Sequence, residues 1–506
     1  MSSEKKVYKI KRTKINLNYC STPKSFSIKE GERLSPLPKI NFDGNNIEFL
    51  PGETIMQAIE RAGLSTSIPR FCYHPALPIA GTCRMCTVEI EKSTKLQTAC
   101  STPAQEGMVI RSQSERVNKS HKGVMEFLLT NHPLDCPVCD QAGECELQDY
   151  NFTYGPNETR FTEDKRIFKN STTRPLSEKI ILNMNRCINC ERCVRFEESI
   201  TQTFDLLMLN RGWKKELTVS DEEKGLTSNY QGCLADICPV GALTFKDFRF
   251  QKRVWFLEKK PSICDGCSKG CNIEVHSENN EVFRYIPLYN ESVNGHWICD
   301  EGRLSYHLLS DPERVTQFKI QEKIVSSKDA LLHFETLIKA SKEVAVLIGT
   351  DSTIEEVQAL KENLKLYIPR FRLYSFNGTC NSDEKLDHLL MMKDKTPNTK
   401  GIATLGITPF ENNQADLYII FKNRRALPPA LPQTSKVITW GVWTNDELKK
   451  YNSSLHFSGL ATAEKGGSFL NTDEILQGFS PAITHQGNSL SVDEIFYELG
   501  KIYGTL

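Results

Sequence analysis

Apolar residues recur along this chain in two rhythms, and the change of rhythm marks its two halves. Residues 1–37 are polar without any period and read as an N-terminal extension. From Ile40 the pattern becomes orderly. Ile40-Asn41-Phe42 and Ile47-Glu48-Phe49 alternate on either side of Asp43-Gly44-Asn45-Asn46, which predicts a β-hairpin. After Pro51-Gly52, the stretch Thr54–Ala62 places Ile55, Ile59 and Ala62 on one helical face, and Gly63 is a natural stop. Residues 116–131 predict a second helix, with Val124, Phe127 and Leu128 on one face and His132-Pro133 as its end. Residues 151–178 are aromatic and charged without period, as expected of a connecting segment laid over a surface, and the polar run 216–229 reads as a loop. Farther on, short unbroken apolar runs at Val344–Ile348, Leu417–Phe421 and Val437–Trp440 alternate with helical patterns. Strands alternating with helices predict a parallel α/β domain over residues 320–506. The expected class is α+β followed by α/β.

Bulk composition narrows the partners. At 506 residues the chain has room for about three domains. Lys+Arg and Asp+Glu stand at 63 each, so no net field favours nucleic acid or an anionic membrane. No apolar run approaches the roughly 18–20 residues of a membrane helix, so no direct membrane span is expected. The opening MSSEKKVYKIKRTKINLN is basic but lacks the apolar core of a secretory signal and the Ser/Arg-rich character of a transit peptide. Thiols in this number, without export, point to metal binding in a reducing compartment.

Of 18 cysteines, 15 fall into spaced blocks, joined by one histidine. Cys72, Cys83, Cys86 and Cys100 form C-x10-C-x2-C-x13-C after a hairpin and a helix, the order of a ferredoxin-like β-grasp domain with a [2Fe–2S] cluster. Zinc is the rival, because C-x2-C is also half of many zinc sites. His132, Cys136, Cys139 and Cys145 form H-x3-C-x2-C-x5-C, and spacing alone leaves zinc and iron–sulfur even. If a cluster sits there, imidazole in place of one thiolate should raise its potential, as in Rieske centres. Cys187, Cys190 and Cys193 followed by Cys238-Pro239 reproduce the bacterial ferredoxin run with its last cysteine displaced, which predicts a [4Fe–4S] cluster. Cys233 competes for the fourth place, but Pro239-Val240-Gly241-Ala242 favours Cys238. Cys264, Cys267, Cys271 and Cys299 form C-x2-C-x3-C-x27-C, uneven for a zinc ribbon and suited to another [4Fe–4S] cluster. Cys20, Cys233 and Cys380 remain as inert thiols.

Several stretches, in this order, resemble the large iron–sulfur subunit of NADH:quinone oxidoreductase, respiratory complex I. They are Ile68–Pro75, Gly81–Cys86, Asn131–Asp149, Cys187–Arg195 and Asp236–Leu243, and the similarity runs from about residue 40 to 310. The resemblance implies a [2Fe–2S] cluster on the first block and [4Fe–4S] clusters on the second and third. It implies a relay of electrons from NADH, through FMN on a partner subunit, toward quinone, coupled to proton translocation by the complex. The fourth block corresponds to an extra [4Fe–4S] cluster kept by many bacterial members. That implies a peripheral subunit on the cytoplasmic face of a bacterial inner membrane, with the mitochondrial matrix side as the alternative. Implied partners are the flavin-bearing subunit and the quinone-side iron–sulfur subunits. Glu464–Thr472 echoes a family segment in a shortened molybdopterin-oxidoreductase-like domain that carries no molybdenum.

The expected division is an extension over 1–37, the [2Fe–2S] domain over 38–117, and [4Fe–4S] domains over 118–160, 161–256 and 257–319, ahead of the α/β domain over 320–506. No catalytic residue is expected on the chain. An NAD-linked formate dehydrogenase is the competing function, since related modules occur there. It needs Cys or selenocysteine on molybdenum beside a histidine, and Cys380 has Thr379 and Asn381 as neighbours. A hydrogenase needs further cluster cysteines beyond Cys299, and a zinc-stabilised scaffold would lack redox work altogether. No G-x-G-x-x-G follows the strand ending near Gly349, so NADH is expected on a partner.

Overall fold

The architecture is that of a computed structural model, which describes residues 37–64, 68–168, 173–321, 323–377, 383–411, 414–423, 426, 429–432, 435–443 and 453–503. Residues 1–36 of the expected extension, with Cys20, and the segment carrying Cys380 lie outside the described residues. The chain divides into two compact units, Met1–Val124 and Met125–Leu506. The division falls inside the helix Glu115–Asn131.

In the first unit a mixed sheet grasps one helix. Strands run in the order Asn45–Glu48, Lys39–Phe42, Val109–Arg111, Thr87–Ile90, Gln97–Thr98, with Lys39–Phe42 parallel to Val109–Arg111 and the other neighbours antiparallel. The hairpin turn is tighter than the four residues expected. Asp43 and Gly44 alone make it, with φ of +47° and +90°, while Asn45 already pairs with Phe42. Two positive-φ residues match the twist of the flanking strands, and Asp-Gly supplies both at little strain. The helix Ile55–Arg61 starts at Thr54, whose side chain accepts from the Gln57 N–H while Gln57 caps the Thr54 N–H in return. Ile55, Met56, Ala58 and Ile59 from this helix close over Ile40, Phe42, Ile47 and Ile110.

Two three-stranded sheets in the second unit carry cysteine loops between their strands. One is antiparallel through Leu243–Phe245, Ile180–Leu182 and Arg174–Pro175, and another is the three-stranded Glu258–Ile263, Asn272–Glu278, Glu281–Pro287. Leu206–Leu209 pairs with Glu216–Val219, which corrects the expected loop at its start. Leu217 and Val219 are buried there, and exposure begins only at Ser220. Residues 151–154 likewise belong to the helix Glu146–Tyr154 rather than to a connecting segment. In the helix Glu115–Asn131 the buried positions are Val117, His121 and Met125 at four-residue spacing. Phe127, two residues beyond Met125 and so nearly opposite it, is 79% exposed, contrary to the expected apolar face.

The α/β region ends the chain. Its sheet orders Lys323–Ile324, Lys319–Ile320, Ser453–Ser458, Lys436–Gly441, Leu417–Phe421, Val344–Gly349, Phe371–Phe376, Thr408–Pro409, parallel from Ser453–Ser458 onward. Leu417–Phe421 is buried along its whole length because both faces are covered. Ile419 and Phe421 pack with Phe334, Leu360 and Phe496 of three helices, and Tyr418 and Ile420 pack with Tyr374, Phe376 and Val437 on the other side. Doubly covered parallel strands need this unbroken apolar pattern.

A buried polar pair sits inside this sheet. His456 is 4% exposed, with Nδ1 2.6 Å from the Thr439 hydroxyl. Burial, then the charge of Lys319, pushes its pKa from 6.5 down to about 3. The unfolded chain therefore binds a proton that the folded chain refuses, so stability is full above pH 6.5 and falls as pH drops toward 3. Equilibrium unfolding below about pH 6 should lose about 1.4 kcal/mol per pH unit from this residue. His456→Gln should flatten that slope; an unchanged slope would place the acid sensitivity elsewhere.

Candidate metal centres

The first block is held by the sheet of the first unit. Cys72 and Cys83 lie in the loop ahead of Thr87–Ile90, Cys86 directly precedes that strand, and Cys100 follows Gln97–Thr98. The Ala99 N–H donates to the Cys86 carbonyl at 2.9 Å, fixing Cys100 against Cys86. Gly81 and Arg84, with φ of +65° and +60°, turn the loop back on itself. The thiols meet in two pairs. A hydrogen bond from Cys83 pulls the Cys72 thiol down and pushes Cys83 up, and Cys100 and Cys86 behave the same way. Two pairs of sulfurs suit two irons with two thiolates each.

The second and third blocks are laced together. His132 ends its helix with Nδ1 buried and without a hydrogen-bond partner among the described residues. Burial, then the charges of Arg186 and Lys165, pushes its pKa to about 4, so the ring is neutral and able to donate a lone pair. His132, Cys136 and Cys145 line one pocket with Leu129, Leu147 and Phe161. Cys139 is buried nearby, within reach of the Cys136 charge. Cys187, Cys190, Cys193 and Cys238 line another pocket, closed by Met208, Leu217 and Val240. Burial pushes Cys187 and Cys190 up to about 12. Left-handed Asn189 and Glu191 curl the loop, and the Asn189 N–H points to the Cys187 sulfur at 3.4 Å.

Each fastening between these blocks adjoins a cysteine. Arg186, before Cys187, binds Asp135, before Cys136, at 3.0 Å. Arg192, between Cys190 and Cys193, forms a bidentate pair with Glu146, after Cys145, at 2.8 and 3.0 Å. The Glu146 N–H donates to the Pro239 carbonyl at 3.0 Å. Gly241 lies so close to the Cys139 sulfur that any Cβ would overlap it. Sequence reasoning missed these partners, although a charged residue directly beside a cysteine in each block was a visible signal.

In the fourth block, Cys264, Cys267 and Cys271 occupy the hairpin loop between Glu258–Ile263 and Asn272–Glu278, and Cys299 caps the helix Asp300–Leu304. The Gly266 and Gly302 N–H groups donate to the sulfurs of Cys264 and Cys299 at 3.4 and 3.3 Å. A Cβ at Gly302 would stand 2.8 Å from the Cys264 sulfur. The charges of Cys264, Cys267 and Cys299 all reach Cys271, so the structure brings the four together. It does not bring Cys233 to the third block. That thiol donates to the Ile298 carbonyl at 3.3 Å, and burial pushes it to about 12.

Thiolates joined by one imidazole are donors of the type that iron–sulfur clusters take. All described cysteines are free thiols. Tetrahedral zinc holds its sulfurs at about 2.3 Å, whereas a cluster spreads them over its corners.

Family models match four stretches of the chain. Residues 39–115 match a 2Fe-2S iron-sulfur cluster binding domain, and 121–160 match the NADH-ubiquinone oxidoreductase-G iron-sulfur binding region. Residues 177–244 match the ferredoxin-like domain of NADH-quinone oxidoreductase subunit 3, and 262–307 match an NDSU1/NuoG-like 4Fe-4S domain. The G subunit of NADH-quinone oxidoreductase from Rickettsia typhi is 42% identical over 359 residues, covering 69% of this chain and 52% of that protein. The mitochondrial NADH dehydrogenase [ubiquinone] iron-sulfur protein 1 of Solanum tuberosum is 43% identical over 330 residues, covering 64% and 44%. The chain spans about half the length of these curated relatives. A chain of an NAD+-reducing [NiFe]-hydrogenase structure matches at 28% identity over 43% of this chain and 91% of its own, with a TM-score of 0.37.

Gly241→Ala tests the packing. The added methyl should displace Cys139, seen as a fall in iron and acid-labile sulfide per chain. Unchanged iron would mean that the Cys139 sulfur has room to move.

Proposed function

Because the chain is a relative of the G subunit of NADH-quinone oxidoreductase across its four cysteine-bearing regions, we propose that it is the iron–sulfur electron-transfer subunit of a complex I. In this reading Cys72, Cys83, Cys86 and Cys100 hold a [2Fe–2S] cluster. His132 with Cys136, Cys139 and Cys145, then Cys187, Cys190, Cys193 and Cys238, then Cys264, Cys267, Cys271 and Cys299, hold three [4Fe–4S] clusters. The six-part division at residues 37, 117, 160, 256 and 319 belongs to the same reading. The clusters supply one-electron carriers; the chain places them, excludes water and sets their potentials. NADH and FMN are on a partner, and quinone lies beyond neighbouring iron–sulfur subunits. The work is done at the cytoplasmic face of a bacterial inner membrane. Among the described residues no helix is long and apolar enough to cross a membrane.

The observation that carries this reading is the convergence of Cys238 with Cys187, Cys190 and Cys193 on one pocket across some forty intervening residues, with Cys233 turned away. The terminal α/β region is read as a molybdopterin-oxidoreductase-like domain without molybdenum. Support comes from the carboxyl ends of its central strands, where such sheets bind ligands. Thr350, Asp351, Ser352 and Thr353 are buried there, and Lys465 reaches in to Glu356 and Asn423 at 2.6 and 2.9 Å. The crevice is occupied by the chain's own side chains.

Cys190→Ala should abolish NADH-to-quinone electron flow in the assembled complex while sparing NADH oxidation by an artificial acceptor at the flavin. Equal loss of both activities would contradict a relay through the third block.

A further inference from the structure

Of the buried arginines beside the third block, Arg192 is the one that lines its cysteine pocket among the described residues. It is 5% exposed and lines the pocket formed by Cys187, Cys190, Cys193 and Cys238. Its two terminal nitrogens are committed, Nη1 to Glu146 and the Ile237 carbonyl at 2.8 and 3.2 Å, and Nη2 to Glu146 at 3.0 Å. Nε is buried and finds no acceptor among the described residues. Arg186, equally buried beside the same block, spends its Nε on Asp135 at 3.1 Å. A buried donor left without a partner is costly, more so when charged, so a fixed guanidinium with an unpartnered N–H at a cysteine pocket calls for an acceptor. The sulfurs of an iron–sulfur cluster are such acceptors, and hydrogen bonds to them help set its potential.

We propose that Arg192 is a positioning residue whose Nε–H donates to a sulfur of the cluster held by the third block, with Glu146 locking the guanidinium in that orientation. The inference rests on the reading of that block as a [4Fe–4S] site. Reduction adds one negative charge to the cluster, so a buried cation and an N–H donor both favour the reduced form and raise its potential. Glu146, paired with the same cation, offsets part of its field. The pair thus couples the second block, whose Cys145 precedes Glu146, to the potential of the third.

The test uses the whole 506-residue chain, purified anaerobically and titrated by EPR, with arginine 15N-labelled only in its guanidinium group incorporated for pulsed EPR of the reduced cluster. Arg192→Met should shift the midpoint potential of the third-block cluster to more negative values, and Arg192→Lys should shift it less in the same direction. Glu146→Gln should shift it to more positive values, an opposite sign that mere loosening of the site would not produce. A 15N coupling should be present in the parent chain and in Glu146→Gln, and absent from both Arg192 variants. If Arg192→Met is isolated without its cluster, the Arg192→Lys and Glu146→Gln pair decides by sign. Shifts of one shared sign, unchanged potentials, or a 15N coupling that survives in Arg192→Lys would overturn the inference. A parent chain with no iron at this block would overturn the cluster reading itself, and the inference with it.

Discussion

Desolvation of sulfur is the constraint on which the cysteine-bearing half of this chain depends. Most of the block cysteines are buried, and burial holds thiols such as Cys187, Cys190 and Cys299 near 12, with Cys193, Cys264 and Cys271 also raised. Left alone these groups keep their protons and form no anionic cage. A strongly cationic metal centre would draw the protons off and stabilise four thiolates in so dry a place. The local backbone is shaped accordingly. N–H groups of Asn189, Gly266 and Gly302 are aimed at sulfur, and Gly241 and Gly302 let the main chain come closer to sulfur than any Cβ permits.

The same constraint explains why the three later blocks are interleaved. A cluster whose ligands come from separate loops keeps its geometry only if those loops are fixed to each other. Here the fixing groups stand next to the ligands. Asp135 and Arg186 join the second and third blocks, and so do Glu146 and Arg192. Asp300, one residue past Cys299, is 2% exposed and accepts from the N–H groups of Gln231 and Gly232, on the helix that leads to Cys238. The loop of the fourth block is gripped by the terminal region. The Ser268 N–H donates to the Asp394 carbonyl at 2.9 Å, and Gln477 and Asn471 donate to the carbonyls of Gly270 and Lys269. That region therefore has structural work.

The grouping of the cysteines and the parallel strands were legible in the sequence because each is written in local chemistry. Cysteine spacing is a short-range code, and Leu417–Phe421 could only be a strand covered on both faces. The Pro-Val-Gly-Ala after Cys238 pointed to the cysteine that shares a pocket with Cys187, Cys190 and Cys193. What escaped was what the tertiary structure decides. The exposure of Phe127 depends on which stripe of its helix is covered, and the strand at Glu216–Val219 depends on the partner Leu206–Leu209. The role of Arg192 required knowing that Cys238 and Glu146 return to its side. The hairpin turn was read two residues too long because Asn45 and Asn46 have turn-like composition, yet the ladder extends to them.

The account stands on the cysteine blocks being iron–sulfur sites, and metal analysis of the anaerobically purified chain tests that most directly. One [2Fe–2S] and three [4Fe–4S] clusters correspond to about 14 irons per chain with matching acid-labile sulfide and no molybdenum. Zinc in place of iron would contradict the electron-transfer role, and bound molybdenum would contradict the closed crevice of the terminal region.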